Sequence, residues 1–194
     1  MARRYELRRR AERQAETRQR IVEAAVSLHE RQGLSGTTVT DIADRAGVGR
    51  QTFYRHFPDE HTLTRACSSL YWQRHPPPDP EGWRAIADPH ARFQTALRES
   101  YAYHRRTEAM IGTMLAEAAS HPTMRPYHEH WRRAADVVAQ PWRLRGRRGA
   151  LLRATVGHAL AFSTWQSLVR RHGLTDRQAV ELASRLVPAP SPRP

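Results

Sequence analysis

The sequence predicts an all-α fold of about nine helices in two parts: an N-terminal three-helix helix-turn-helix domain and a larger C-terminal helical domain. Three observations carry that expectation. Apolar residues recur at three- and four-residue intervals, glycine and proline punctuate those stretches at cap positions, and no alternating pattern resembles a strand pair.

Residues 1–16 read as a basic N-terminal arm. The first twenty residues hold eight arginines against three glutamates, and beyond Met1 only Tyr5 and Leu7 are sizeable apolars. Such a segment cannot bury a face of its own, so it is either an arm that orders on a polyanion or a solvated extension with no role. The first helix proper starts near Thr17, where Ile21, Ala25 and Leu28 share a face, and Gly33 stops it. Thr38 caps a second helix, Asp41 favours the positive end of its dipole, and Ile42 and Ala43 turn inward. Gly47 stands where the chain must turn sharply, because a left-handed backbone costs glycine least. Gly49 caps a third helix carrying Arg50, Gln51, Thr52, Phe53, Tyr54 and Arg55, ended by Phe57 and Pro58. Phe53 and Phe57, four apart, pack inward and leave the hydrogen-bonding side chains outside. Residues 17–64 make one domain by this reading, and Asp59 caps a fourth helix that runs to about Trp72.

Four prolines between His75 and Gly82 then exclude a regular element, and residues 65–187 form the second domain. Asp88 and Pro89 start a fifth helix to about Arg106, followed by a sixth to about Ser120, which Pro122 breaks. A seventh spans about Thr123 to Gln140, and Gly146 to Gly149 lie in a basic loop. The eighth runs from about Ala150 to His172, closed by Gly173. Thr175 and Gln178 form a capping box for a ninth ending near Val187, and the proline-rich tail 188–194 is expected to be disordered.

A short helix, a glycine turn and a second short helix over residues 37–57 are the grammar of a DNA-reading helix-turn-helix. The flanking motifs are Arg-Ile-x-x-Ala-Ala at 20–25, Gly-x-x-x-Thr-Thr-Val at 33–39 and Phe-Tyr-Arg-His-Phe-Pro at 53–58. With them, the segment from about Thr17 to Leu63 resembles the DNA-binding domain of the TetR family of transcriptional regulators. The resemblance implies a two-domain helical homodimer whose third helix enters the major groove of a palindromic operator. It also implies a small-molecule effector in the C-terminal domain, hence a repressor released from double-stranded DNA by its ligand. An effector-independent structural DNA-binding protein is the alternative.

Arg50, Gln51 and Thr52 are the candidates for base edges, arginine being the natural partner of guanine and glutamine of adenine. Thr38, Thr40, Tyr54 and His56 hold phosphates at the family's positions, and Gly49 and Arg55 complete the DNA-binding set. Two positions depart from the common pattern. Gly49 replaces a serine cap, which loosens the start of the recognition helix, and Glu60 replaces a lysine that often touches phosphate.

In the C-terminal domain Phe93, Leu97, Tyr101, His104, Met110, Met114, Trp131, Phe162 and Trp165 either fill a core or wall a ligand pocket. The resemblance favours the pocket. Residues 71–194 carry 19 arginines and 10 acids, which inclines such a pocket toward an anionic ligand. Leu152, Val156, Ala159, Leu160 and Ser163 on the eighth helix, with Ala179, Leu182, Ala183 and Leu186 on the ninth, form the candidate dimer interface.

Composition excludes several other classes. The formal net charge is +13, and all 32 basic residues are arginine, so the surface attracts polyanions. Cys67 is the single cysteine, which rules out an internal disulfide, and no apolar run approaches membrane-spanning length; a cytoplasmic protein without a membrane partner is expected. His128 and His130 point to different sides of a helix and do not share a metal easily, even with Glu129 and His121 nearby. No motif surrounds a catalytic triad and no glycine loop cradles phosphate, so neither enzymatic activity nor a cofactor is expected.

Overall fold

Every regular element in the structure, a computed structural model describing residues 2–118 and 122–188, is helical. Among these residues nine α-helices occur: α1 (Ala2–Gln32), α2 (Val39–Ala46), α3 (Arg50–His56), α4 (Glu60–Arg74), α5 (Pro89–Ala118), α6 (Arg125–Ala139), α7 (Gly146–Leu160), α8 (Phe162–Gln166) and α9 (Asp176–Ser184). Short 3-10 turns cover Pro80–Ala85, Pro122–Met124 and Gln140–Trp142, and a π-helical turn covers Ser167–Arg171. The expected disorder of the tail falls, from residue 189 on, outside the described residues.

The chain forms two compact units, and they do not follow one cut at residue 64. Met1–Pro76 with Ala109–Thr123 make the first; Pro77–Glu108 with Met124–Pro194 make the second. In the first, α1 packs on α2 and α4 through Ile21, Val22, Ala25 and Val26, all buried, and α3 packs on α2. The C-terminal end of α5 belongs to this unit, where Glu117 Oε2 accepts from the Ser35 backbone N–H at 2.9 Å. In the second, α6 packs on α7, and Gly157 faces the Ala135 methyl, 3.6 Å from where a Cβ would stand. A small residue on α7 thus serves close packing inside the chain.

The local caps follow the expected chemistry. Thr38 and Asp41 close a capping box on α2, Asp59 accepts from Thr62 N–H on α4, and Asp88 accepts from Ala91 N–H at the start of α5. Thr175 and Gln178 do the same for α9. Gly47 lies in the left-handed region at φ 63°, and the Val48 N–H reaches back to Ala43 O at 3.0 Å, sealing the end of α2.

Three boundaries differ from expectation. First, α1 begins at Ala2 rather than near Thr17, because residues 2–16 contain neither glycine nor proline and are mostly good helix formers. Second, the expected break near Arg106 is absent. With no proline between 90 and 118, α5 runs unbroken, and the half-buried Gly112 costs only about 1 kcal/mol inside it. Third, the expected eighth helix starts four residues early, at Gly146, and stops at Leu160, where Ala161 turns extended (φ −68°, ψ 145°). Neither glycine nor proline marks that stop. The carbonyls it frees find partners instead: Tyr101 Oη donates to Ala159 O (3.0 Å), the His104 ring bonds Leu160 O (2.8 Å) and Thr164 Oγ1 donates to His158 O (2.6 Å).

Candidate nucleic-acid interface

The outer face of α3 is built from its inner one. Phe53 and Phe57 are 2% and 1% exposed, with ring centroids 6.0 Å apart, and they anchor the seven-residue helix on the rest of its unit. Burying two such rings stabilises the docking by roughly 2 kcal/mol each, more than so short a helix obtains from its own hydrogen bonds. The Arg18 guanidinium stacks on the outer side of Phe57 at 4.6 Å, and Arg20 Nη1 donates to Ala46 O at 3.2 Å, fixing α1 against the ends of both short helices.

With the phenylalanines inside, Arg50, Gln51, Tyr54 and Arg55 stand exposed, Thr52 and His56 half-buried. Gly49 caps α3 in extended geometry with no side-chain bond, so the first turn lacks the hydroxyl acceptor a serine would give. Arg50, Gln51 and Arg55 therefore project together from one short, rigidly docked helix.

The predicted phosphate set is less uniform. Thr40 is exposed, as is Tyr54 with its ring edge-on to Phe53 at 5.5 Å. Thr38 is exposed too, but its hydroxyl and backbone N–H both donate to Asp41 Oδ2, at 2.7 and 2.9 Å. Those bonds hold the Asp41 carboxyl below the usual carboxylate range, and they leave Thr38 no free donor for a phosphate. Partial burial, helped by the nearby Arg55 and Arg18 charges, pushes the His56 ring down. At the start of α4, Asp59 and Glu60 occupy the positive end of the helix with the chain's own carboxylates.

A sequence profile described as "Bacterial regulatory proteins, tetR family" matches residues 21–67, the span that holds this arrangement. Over that span the chain is similar to the DNA-binding domain of the TetR family. The HTH-type transcriptional regulator TtgR of Pseudomonas putida is 38% identical over 69 residues, which cover 36% of this chain and 33% of that protein. The match thus spans about a third of the length of that curated relative. Solved structures share the fold at low identity. A TetR-like regulator from a Rhodococcus species superposes with TM-score 0.60 and 18% identity, over 88% of this chain and 92% of that one. The multidrug binding protein EbrR, solved with imidazole, gives 0.57 and 23%, over 91% and 98%.

The other predicted sites are distributed unevenly. Phe93, Leu97, Tyr101, His104, Trp131, Phe162 and Trp165 all lie in the second unit and are buried, while Met110 and Met114 are buried in the first. His104 is the hub of the second-unit set: the rings of Tyr101, Tyr103, Trp131, Phe162 and Trp165 lie 4.9–6.4 Å away. Burial pushes its pKa down to about 4, against the opposing pull of its bond to Leu160 O. The expected anionic preference finds no support inside. Arg92 is the one buried cation among the described residues of that unit, and its donors go to the carbonyls of Arg84, Ile86 and Val137. No sequence signal marked this residue, because its three partners are backbone atoms.

Of the predicted interface residues, Leu152, Val156, Ala159, Leu160, Ala179 and Ala183 are buried within their own unit and leave no surface for a partner. Ser163 is exposed, Leu182 is 46% exposed and Leu186 50%. Leu151 on α7, 58% exposed, joins them. Cys67 is buried and its thiol is pushed up to about 12, which leaves it an unreactive small apolar residue. No helix among the described residues is long and apolar enough to cross a membrane, and no cluster of three metal-ligating side chains occurs among them.

Proposed function

We propose that this protein is a sequence-specific transcriptional regulator that binds a palindromic operator as a homodimer, with α3 in the major groove, and represses until a small molecule releases it. The observation that carries this reading is the outer face of α3. Arg50, Gln51 and Arg55 are exposed and uncommitted to any internal bond among the described residues, on a helix fixed from behind by Phe53 and Phe57. Arg50 and Gln51 read base edges; Thr40, Tyr54 and His56 hold phosphates and set the register. Leu151, Leu182 and Leu186, exposed on α7 and at the end of α9, supply the apolar surface that a two-fold partner covers.

The ligand half of the reading draws on the aromatic interior around His104 and on fold neighbours that bind small molecules, EbrR among them. If a ligand prefers the conformation whose two heads do not match the half-sites, operator occupancy falls by that differential affinity. A second reading, an effector-independent DNA-binding structural protein, is favoured by one observation: Tyr101 Oη and His104 Nε2 already spend their protons on Ala159 O and Leu160 O.

Selection of bound duplexes from a random pool, followed by salt-titrated competition, tests the core of this. Wild-type protein should enrich a palindrome and prefer it over bulk DNA. Arg50→Ala should lose roughly 1–3 kcal/mol of base discrimination together with affinity, and Tyr54→Phe should weaken all sequences alike. Equal loss on operator and random DNA for Arg50→Ala removes the base-reading role. Titrating the complex with aromatic and cationic drugs separates the two readings: release supports the effector, and release by none supports the structural protein.

A further inference from the structure

Helix α1 extends well beyond the unit it helps to build. Every residue from Tyr5 to Glu16 is exposed, and the first buried position is Ile21. Twelve helical residues at 1.5 Å each make an arm about 18 Å long with no packed face. Among the described residues its bonds are internal: Arg8 Nε to Glu12 Oε1 at 2.9 Å, and the Arg9 guanidinium over the Tyr5 ring at 5.8 Å.

The arm leaves the body beside the recognition helix. Arg18 stacks on Phe57, the residue that ends α3, and Arg20 bonds Ala46 O at the end of α2. Arg9 and Arg13 precede Arg20 by eleven and seven residues, which places each within about 20° of Arg20 around the helix, on opposite sides of it. The face that meets the helix-turn-helix at Arg20 therefore continues outward as a line of arginines, with Glu16 about 40° to one side. In isolation this pattern is unfavourable. Arg9 and Arg13 are like charges four apart, and the first turn of α1 has no acidic residue to match the helix dipole. A polyanion laid along that face relieves both.

We propose that the first sixteen residues of α1 are a second DNA-contacting element, a helical arm whose Arg9 and Arg13 follow phosphates of the duplex flanking the bases read by α3. The first sixteen residues hold six arginines against three glutamates; among the described side chains Arg8 pairs with Glu12, while Arg9 and Arg13 meet no carboxylate. The arm adds affinity and salt dependence without sequence preference. The inference rests on the DNA-binding reading above and fails separately from it.

The test compares full-length wild type with R9Q/R13Q on the selected operator, trimmed to the read bases or extended by about ten base pairs, one turn, on each side. Wild type should bind the extended duplex several-fold tighter at low salt, and R9Q/R13Q should bind both alike. The variant's plot of log affinity against log salt should be shallower by about 0.9 per lost phosphate contact, with base preference unchanged. Because these side chains support no packing, its thermal unfolding should match wild type, and a deletion of residues 2–12 should reproduce its binding. Equal binding of both duplexes by wild type, an unchanged salt slope in the variant, or a changed oligomeric state in its place overturns the arm while leaving operator recognition by α3 intact. A protein that prefers no duplex, or whose Arg50→Ala variant discriminates normally, overturns the parent reading instead.

Discussion

Five aromatic rings surround the imidazole of His104, and its Nε2 bonds a carbonyl that can only accept. Nε2 must therefore carry the proton, leaving the buried Nδ1 lone pair without a partner. A charged ring there would be desolvated, so the folded protein binds that proton only near pH 4, while the unfolded chain binds it near 6.5. Below pH 6.5 the unfolded state holds more protons, so the His104 share of stability is full above that pH and is lost as pH falls toward 4. The loss at pH 5 is about 2 kcal/mol from this residue. Urea unfolding at pH 7.5 and pH 5 should show the drop in wild type and a smaller one in His104→Gln, whose amide can still donate to Leu160 O but does not titrate. His29, pushed down by burial against the opposing charge of Glu117, preserves part of the slope in the variant. An equal drop in both proteins would place the titration elsewhere.

At the scale of the element, caps were legible and breaks were not. Thr38, Asp59, Asp88 and Thr175 act on backbone groups within three residues of themselves, so their chemistry is written locally. The stop between α7 and α8 is held by Tyr101 and His104, 58 and 56 residues away in the chain, and no local pattern around Ala161 announces it. The same long-range bonds account for the two polar residues that read as pocket walls, since their polar tips face backbone rather than an open space. Tyr101→Phe tests this account, because it keeps the ring and leaves Ala159 O without its partner. Unfolding free energy should fall by about 1–3 kcal/mol, with operator preference unchanged. A neutral result would mean that Ala159 O is satisfied without the phenol.

For the whole molecule, the decisive question is how one seven-residue helix obtains enough contact with DNA. At 1.5 Å per residue α3 is about 10 Å long, roughly one major-groove width, and reaches only a few base pairs. A two-fold pair doubles the contact and couples the two events, which multiplies operator affinity without changing any single contact. The sequence showed apolar helices suited to such a pairing, yet it could not say which face the chain uses itself. Leu152, Val156 and Ala159 turn inward while Leu151 turns out, a distinction set by packing on α6 rather than by residue type. Two exposed leucines at the end of α9 complete the unpartnered set. Replacing them together, Leu182→Glu with Leu186→Glu, would add four like charges at the proposed contact between two copies and disturbs no buried residue. Sedimentation should then report a monomer, circular dichroism an unchanged helical protein, and operator affinity a fall of roughly 100-fold or more, with half-site binding retained. A variant that stays dimeric would move the interface to another face, since the remaining predicted positions apart from Ser163 are already buried within one chain.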